Sequence, residues 1–367
     1  MRRTGLRFKG MANQKGITLI LVTILLVVFL GVAALAIDVG YMMVVKNELQ
    51  NIADASALAG ARTLGRLYQC NGDIANCPEP MPYEAQQVYE PPRATITNVI
   101  NEVADQNRAG GKSHILINDA DIVIGDWDGN TKTLTANPVS PKAVRVTARR
   151  DDSNANGPIT MFFARVMGIN TVNMSATATA ALTGECTVPP GGLPIPIGIS
   201  SYFFTHPGYC HDNITFYPSN SPDSCAGWNI YNRPEYHNAN DQALRTTIQQ
   251  LDTGAYESPE LGTGTIFKFT GGTMSQQTFD AMKLLFDHNK DATGKWQVVV
   301  AVYQADSCAN PHGEIPIVGF ATVIITAVTG SPTNTIVGTV ECNYVDTTGH
   351  GGCANFGNLA PIPGLVQ

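Results

Sequence analysis

The sequence predicts an α+β protein in three parts: a long N-terminal transmembrane and stalk helix, a small α+β middle domain, and a mostly-β, disulfide-bonded C-terminal domain. Three observations predict it. Residues 17–37 run for 21 positions without a charge, which as a helix is about 30 Å, one bilayer core. Residues 68–184 mix one helical period with several stretches of period two. Beyond residue 185 the chain turns to short apolar runs between Pro and Gly, and six of its eight cysteines fall there.

Composition and charge narrow the function classes. Only 14% of residues are charged, and 35 Gly and 22 Pro favour loops and short strands. Residues 1–16 hold Arg2, Arg3, Arg7, Lys9 and Lys15 and no acid, so against an overall charge of -7 the remainder carries -12. An acidic body gives no support for nucleic-acid binding, which wants a basic stripe. With the positive charge ahead of the span and Asp38, Lys46, Glu48 and Asp54 after it, the positive-inside rule puts the N-terminus in the cytoplasm. The bulk of the chain then lies on the periplasmic or extracellular side of a bacterial inner membrane, as a single-pass protein.

The cysteines agree with that side. All eight follow the apolar run, and an even number in an oxidising compartment reads as disulfides. Cys70 and Cys77 are expected to close a local loop. Cys186, Cys210, Cys225, Cys308, Cys342 and Cys353 allow 15 pairings, among which the sequence does not choose.

The apolar run itself admits three fates. Ala34-Leu35-Ala36 could be a signal-peptidase site. Lys15-Gly16-Ile17-Thr18-Leu19-Ile20 looks like the start of a type IV pilin, although Leu21 stands where such leaders usually carry Glu. An uncleaved anchor is favoured, because the helical pattern continues past the run. Tyr41, Val44, Val45, Leu49, Ile52, Ala53 and Ala57 keep near-helical spacing with no Pro or Gly between Tyr41 and Ala59. One helix is expected from about Ile17 to Leu67, with residues 38–67 as an amphipathic stalk.

Asp38-Val-Gly-Tyr41 and then Leu49-Gln-Asn-Ile-Ala-Asp-Ala-Ser-Ala-Leu-Ala59 resemble the N-terminal segment of Tad (tight adherence, Flp) pilus-assembly proteins of the TadE/TadG type. The likeness covers about residues 14–62. Small residues from Ala53 to Ala61 make a smooth helical face suited to close packing. That face could pack on the chain's own domain or on another helix. The resemblance favours an assembly interface formed by Leu49, Ile52, Ala53, Ser56, Ala57 and Gly60. It also implies pilus-assembly membrane proteins or pilin subunits as partners, with a homo-oligomer through the stalk as a further possibility.

In the middle segment, residues 68–92 read as a loop. Residues 93–107 form a helix with Ile96, Val99, Ile100 and Val103 on one side. Strands follow at Ile122–Trp127, Lys132–Thr135 and Ala143–Arg149, the first two joined by Asp128-Gly129-Asn130. Pro158–Met167 reads as a short helix and Val172–Leu182 as a strand. The succession GDWD, TLT, AVRVTARR, MFFARVMG and SATATA extends the family likeness, more loosely, to about residue 182. Asp126, Asp128 and Asn130 alternate as calcium ligands do, but Gly129 and Asn137 stand where an EF-hand loop needs other residues, so a plain hairpin is expected.

The Pro-rich stretch from Cys186 marks a boundary at about 184/185. Beyond it strands are expected at Ile214–Tyr217, Thr265–Phe269, Trp296–Tyr303, Ile317–Val328 and Thr335–Glu341. Helices are expected at Asp241–Leu251 and Ser275–His288, the second with Ser275 as N-cap and Phe279, Met282, Leu285 and Phe286 on one face. His206, Cys210, His211, His350 and Cys353 could suit zinc, but the same cysteines make disulfides outside the cell. The chain holds no Gly-x-Ser-x-Gly or His-Glu-x-x-His string, and it lacks the Asp-x-Ser-x-Ser metal motif that many TadG-type proteins carry. No catalytic residue, cofactor or metal is assigned. The expected role is structural: assembly or anchoring of a Tad-type pilus. The alternatives are a minor pilin-like subunit, or an exported enzyme or glycan-binding protein acting through residues 186–367.

Overall fold

A computed structural model of the 367-residue chain describes residues 14–70, 74, 91–129, 131–139, 141–205, 209, 213–217, 225–270, 274–330, 332–341, 344–345, 350–360 and 362–366. The first element, α1 (Gln14–Gln69), is a single 56-residue helix. Its first part, from Thr18, is apolar and long enough to cross a membrane, and none of its most apolar stretch is buried. Its second part is the spine of the first core.

Against that spine lie α2 (Arg93–Asp105) and a five-stranded antiparallel sheet. The sheet strands are β1 (Ile122–Asp128), β2 (Thr133–Ala136), β3 (Ala143–Arg150) and β4 (Met174–Ala181), joined by a strand from the far end of the chain. The order runs β4-β3-β1-β2, with Val144 opposite Ala180 and Ile124 opposite Val144. Strand β4 is built of Ala and Thr in alternation, and Ala176, Ala178 and Ala180 face the core. Alanine is a poor strand former. Here it faces the small residues of α1, so helix and sheet backbones approach closely.

Two expectations in this region needed correction. Pro158–Met167 is not a helix: Ile159–Thr160 pairs with Thr171–Val172, and only Ala164–Met167 forms a 3-10 turn. Asp38 takes the N–H groups at the start of that turn, and Gly168, at φ +85°, ends it. The strand expected at Val172–Leu182 breaks at Asn173, whose side chain donates to Asp152 Oδ2 at 3.0 Å.

The C-terminal region begins with β5 (Gly184–Val188). A larger sheet follows, built from β6 (Ile197–Ser200), β7 (Asn213–Tyr217), β8 (Ala226–Asn229), β9 (Ile266–Thr270), β10 (Trp296–Tyr303), β11 (Gly313–Thr329) and β12 (Thr335–Glu341). Its order is β7-β12-β11-β9-β8-β6-β10, and β10 also pairs with β11. The strands β11, β9, β8, β6 and β10 therefore close into a ring, which removes those edges. Closure depends on the length of β11: its first residues pair with β9, its middle with β10 and its last part with β12.

Both faces of β10 are buried. Trp296, Val298, Val300 and Val302 join one core with Phe279, Met282 and Leu285, whereas Ala301 and Tyr303 join a second with Phe267 and Phe269. That explains the run Val298–Tyr303, which shows no period-two alternation of apolar and polar residues. The two helices on the core of Trp296 and Val298 are α3 (Asp241–Asp252) and α4 (Gln276–Asn289). Ser275 caps α4, accepting from Thr278 N–H at 3.3 Å. Asp241 ties the two helices by accepting from Ser275 N–H at 2.8 Å and from the Thr278 hydroxyl at 2.7 Å.

The tail of the chain crosses back over the boundary expected at 184/185. After β12 come β13 (Tyr344–Val345), β14 (His350–Cys353), β15 (Asn358–Leu359) and β16 (Gly364–Leu365). Val345 and Leu359 belong to the first core, and β16 pairs with β4, placing Gly364 opposite Ala181. The tail thus returns to the sheet behind α1. Strand β5 binds β14 and β15 on the way, and Cys186 is joined to Cys353, with Cα atoms 5.1 Å apart.

Candidate functional site

The stalk half of α1 presents Val45, Leu49, Ile52, Ala53, Ser56, Ala57, Gly60, Ala61 and Leu64 at spacings of three and four, and all are buried. They meet Ile96 and Ile100 of α2, Val144 and Val146 of β3, and the alanines of β4. The fit at Gly60 is close: a methyl there would lie 2.9 Å from Ile100 Cδ1 and 3.1 Å from Val144 Cγ1. The six residues expected to form an interface with other molecules are therefore brought together, but in the chain's own core. Leu49, Ile52, Ala53, Ser56, Ala57 and Gly60 are all buried within the chain itself. The exposed face of the stalk carries Asn47, Asn51, Ala55, Arg62 and Arg66 instead.

Polar contacts at the rim fix the register of helix on sheet. Lys46 Nζ donates to Ser175 O at 2.5 Å, Gln50 Nε2 to Thr177 O at 3.3 Å, and Tyr68 OH to Pro141 O at 2.6 Å. Glu48 accepts from Gly110 N–H at 2.8 Å. Arg150, also buried, donates to the carbonyls of Gly157 (2.8 Å), Pro158 (3.0 Å) and Ala109. Burial pulls its pKa below the ordinary arginine value, and Tyr41 and Glu48 oppose that shift.

Asp38 is the first buried residue after the apolar run. Its Oδ1 accepts from Phe162 N–H at 3.0 Å, and its Oδ2 from Phe163 N–H at 3.0 Å and Ala164 N–H at 2.6 Å. An acid from one element thus caps the 3-10 turn of another. Burial works against its charge, but the three donors and nearby Arg165 prevail and hold its pKa below the ordinary carboxylate value. Tyr41, one turn along α1, packs edge-on against Phe162 with ring centroids 5.0 Å apart. The role of Asp38 was missed in the sequence reading, though an isolated acid directly after an apolar span was a usable signal.

The remaining sequence candidates resolve individually. Cys186 pairs with Cys353, and Cys225 with Cys308. Cys70 is disulfide-bonded. Cys77, Cys210, Cys342, His206, His211 and Asn130 lie outside the described residues. As a disulfide, Cys353 has no thiolate to offer zinc. Asp126 Oδ2 accepts from Asn137 Nδ2 at 2.6 Å and Asp128 Oδ1 from Thr131 N–H at 3.3 Å, contacts that hold a hairpin together. Among the described residues, no three His, Cys, Asp or Glu side chains gather in a way that could hold a metal ion. One groove of about 290 Å³ is lined by Leu193, Tyr256, Glu257, Ser258 and Trp296; the Ser258 hydroxyl there accepts from Leu193 N–H at 3.1 Å.

Two family models match the chain. Residues 16–63 match the family described as putative Flp pilus-assembly TadE/G-like, and residues 85–180 match putative Tad-like Flp pilus-assembly. No curated protein and no solved structure matches. The first match covers the apolar run, Asp38 and most of the stalk; the second covers α2 and the sheet on which the stalk packs, including the turn held by Asp38. Through these two segments, which form one folded unit, the chain is similar to the TadE/G-like Flp pilus-assembly proteins.

Proposed function

We propose that the protein is a single-pass anchor of the Tad pilus-assembly apparatus, with no enzymatic role. The apolar part of α1 spans the cytoplasmic membrane with the basic N-terminus inside. The three cores and the disulfides lie outside, where thiols oxidise. The observation that carries this reading is the continuity of α1: one unbroken helix is bare and apolar over its first part and becomes the core of the outer domain over its second. Such a helix holds the domain at a fixed distance from the bilayer. The ring of strands, farther along the chain, is the part left to meet other assembly proteins or pilin subunits.

A second reading has an observation behind it as well. A bare apolar helix whose lower half is sheathed by a head is also the shape of a subunit that enters a fibre. The intact mass of the protein extracted from native membranes, with and without reduction, tests both. An uncleaved mass that gains thiols on reduction is expected for the anchor. A mass beginning at Ile17 would replace it with the pilin-like subunit, and one beginning at Ile37 would remove the membrane role.

A further inference from the structure

The segment Phe162–Ile169 is at odds with the surface around it. Phe162 is 59% exposed, Phe163 43%, Val166 90%, Met167 68% and Ile169 49%. Large apolar side chains so concentrated on a folded surface mark a contact site. Arg165 is exposed among them, and residues 160–171 contain no acid.

Its position is fixed by Asp38. That carboxylate, one residue beyond the end of the apolar run, holds the N–H groups of Phe162, Phe163 and Ala164. Two residues of chain cover at most about 7 Å, so Val166 lies within roughly 10–12 Å of the carboxylate. On the Asp38 face one turn back, Ala34 is the only described residue of 18–37 that is not exposed. The patch therefore lies within about 12 Å of the end of the span. At that level a bilayer presents its headgroup layer, about 5–8 Å thick on each side.

The geometry points to a membrane-interface foot: Phe162, Phe163, Val166, Met167 and Ile169 enter the outer-leaflet headgroup region beside the helix, and Arg165 reaches lipid phosphate. The occupant is the bilayer of the chain's own span, since the patch is tied to α1 at Asp38, directly after the exposed apolar run. Tyr41, stacked edge-on against Phe162, has the amphipathic ring that membrane interfaces favour. Arginine suits the same layer, with its stem in apolar surroundings and its guanidinium at the phosphates. The foot gives the anchor a second point of contact, and it rests on the reading of α1 as a membrane span.

The test uses the full chain in lipid nanodiscs containing zwitterionic and anionic phospholipids. Three single variants each add a tryptophan: V166W in the foot, F29W in the middle of the span and L284W on exposed α4. Each spectrum is read as the difference from the unsubstituted protein, which has its own Trp127, Trp228 and Trp296. Lipids brominated near the headgroup should quench the V166W emission, which should also be blue-shifted. Deep bromines should quench F29W, and L284W should respond to neither. A water-like V166W, unquenched by lipid while F29W is quenched, overturns the foot and leaves the span intact. The same result combined with shielding of V166W in native membranes would assign the patch to a protein neighbour and equally overturn the lipid contact. An unquenched F29W would instead bring down the span, and the foot with it.

Discussion

Asp38 and Ala164 are 126 residues apart in sequence and joined by a 2.6 Å hydrogen bond from the Ala164 N–H to the Asp38 carboxylate. With the bonds from Phe162 and Phe163, it fastens the folded domain to the helix at the point where the apolar run ends. The first contact between the two is therefore polar, and the alanine packing begins only beyond it.

Replacing Asp38 by Asn should loosen that junction, because an amide offers one neutral acceptor oxygen to three donors. The 3-10 turn should become cleavable by protease while the rest of the domain remains protected. Equal protection in Asp38→Asn and the parent would show that the turn holds without its cap.

The same carboxylate sets a pH dependence. Its folded pKa lies below the ordinary value, so its stabilisation is present above the unfolded pKa of about 4 and is lost as pH falls through the lower folded value. Thermal melts of the parent should decline on acidification below about pH 4, and Asp38→Asn should flatten that decline. Superimposable acid limbs would assign the loss to other carboxylates.

Overpacking the stalk face should harm folding before it harms assembly. Ala57→Leu puts a large side chain where the helix meets the sheet and should cost about 1–3 kcal/mol in denaturant unfolding. Ala55→Leu, on the exposed side of the same turn, should stay within about 0.5 kcal/mol. Equal costs at both positions would contradict the packing described.

Ser56 is fully buried, and its hydroxyl finds no hydrogen-bond partner among the described residues. Ser56→Ala should therefore be neutral or stabilising by up to about 1 kcal/mol, from removal of a dry hydroxyl and a gain in helix propensity. A clear loss of stability would mean that the hydroxyl has a partner, such as a water.

Cys186 and Cys353 close a separation of 167 residues and tie the tail back to β5. Serine at both should lower stability by about 2–5 kcal/mol and release the tail first, seen as early hydrogen exchange along β16 and the edge of β4. Uniform exchange across all three cores would show that the tail is held without the link.

Where local pattern decides structure, the sequence was readable. Trp296–Tyr303 and Thr335–Glu341 were located to the residue, and so was the Ser275 cap. The start of β11 was missed because Gly313, Glu314 and Pro316 do not look like strand residues; they pair only because β9 lies alongside. The return of Gly364–Leu365 to β4 is two residues long and carries no pattern at all. The stalk shows the limit most clearly. Spacing identified the face of Ala53, Ala57 and Gly60 correctly, but what covers a small-residue face depends on partners far along the chain. Those partners were the alanines of β4, whose Ala–Thr alternation was legible as a strand but not as the complement of that helix.

The single helix α1 also works as a lever. From Asp38 to Gln69 it extends roughly 48 Å, and the folded domain is wrapped on it with no hinge between. With α1 read as a membrane span, a tilt of about 10°, the sort of adjustment a change in bilayer thickness demands, would carry the far end roughly 8 Å sideways. The head would swing with it as one body, so whatever docks there would feel the thickness and tension of the membrane through a rigid arm.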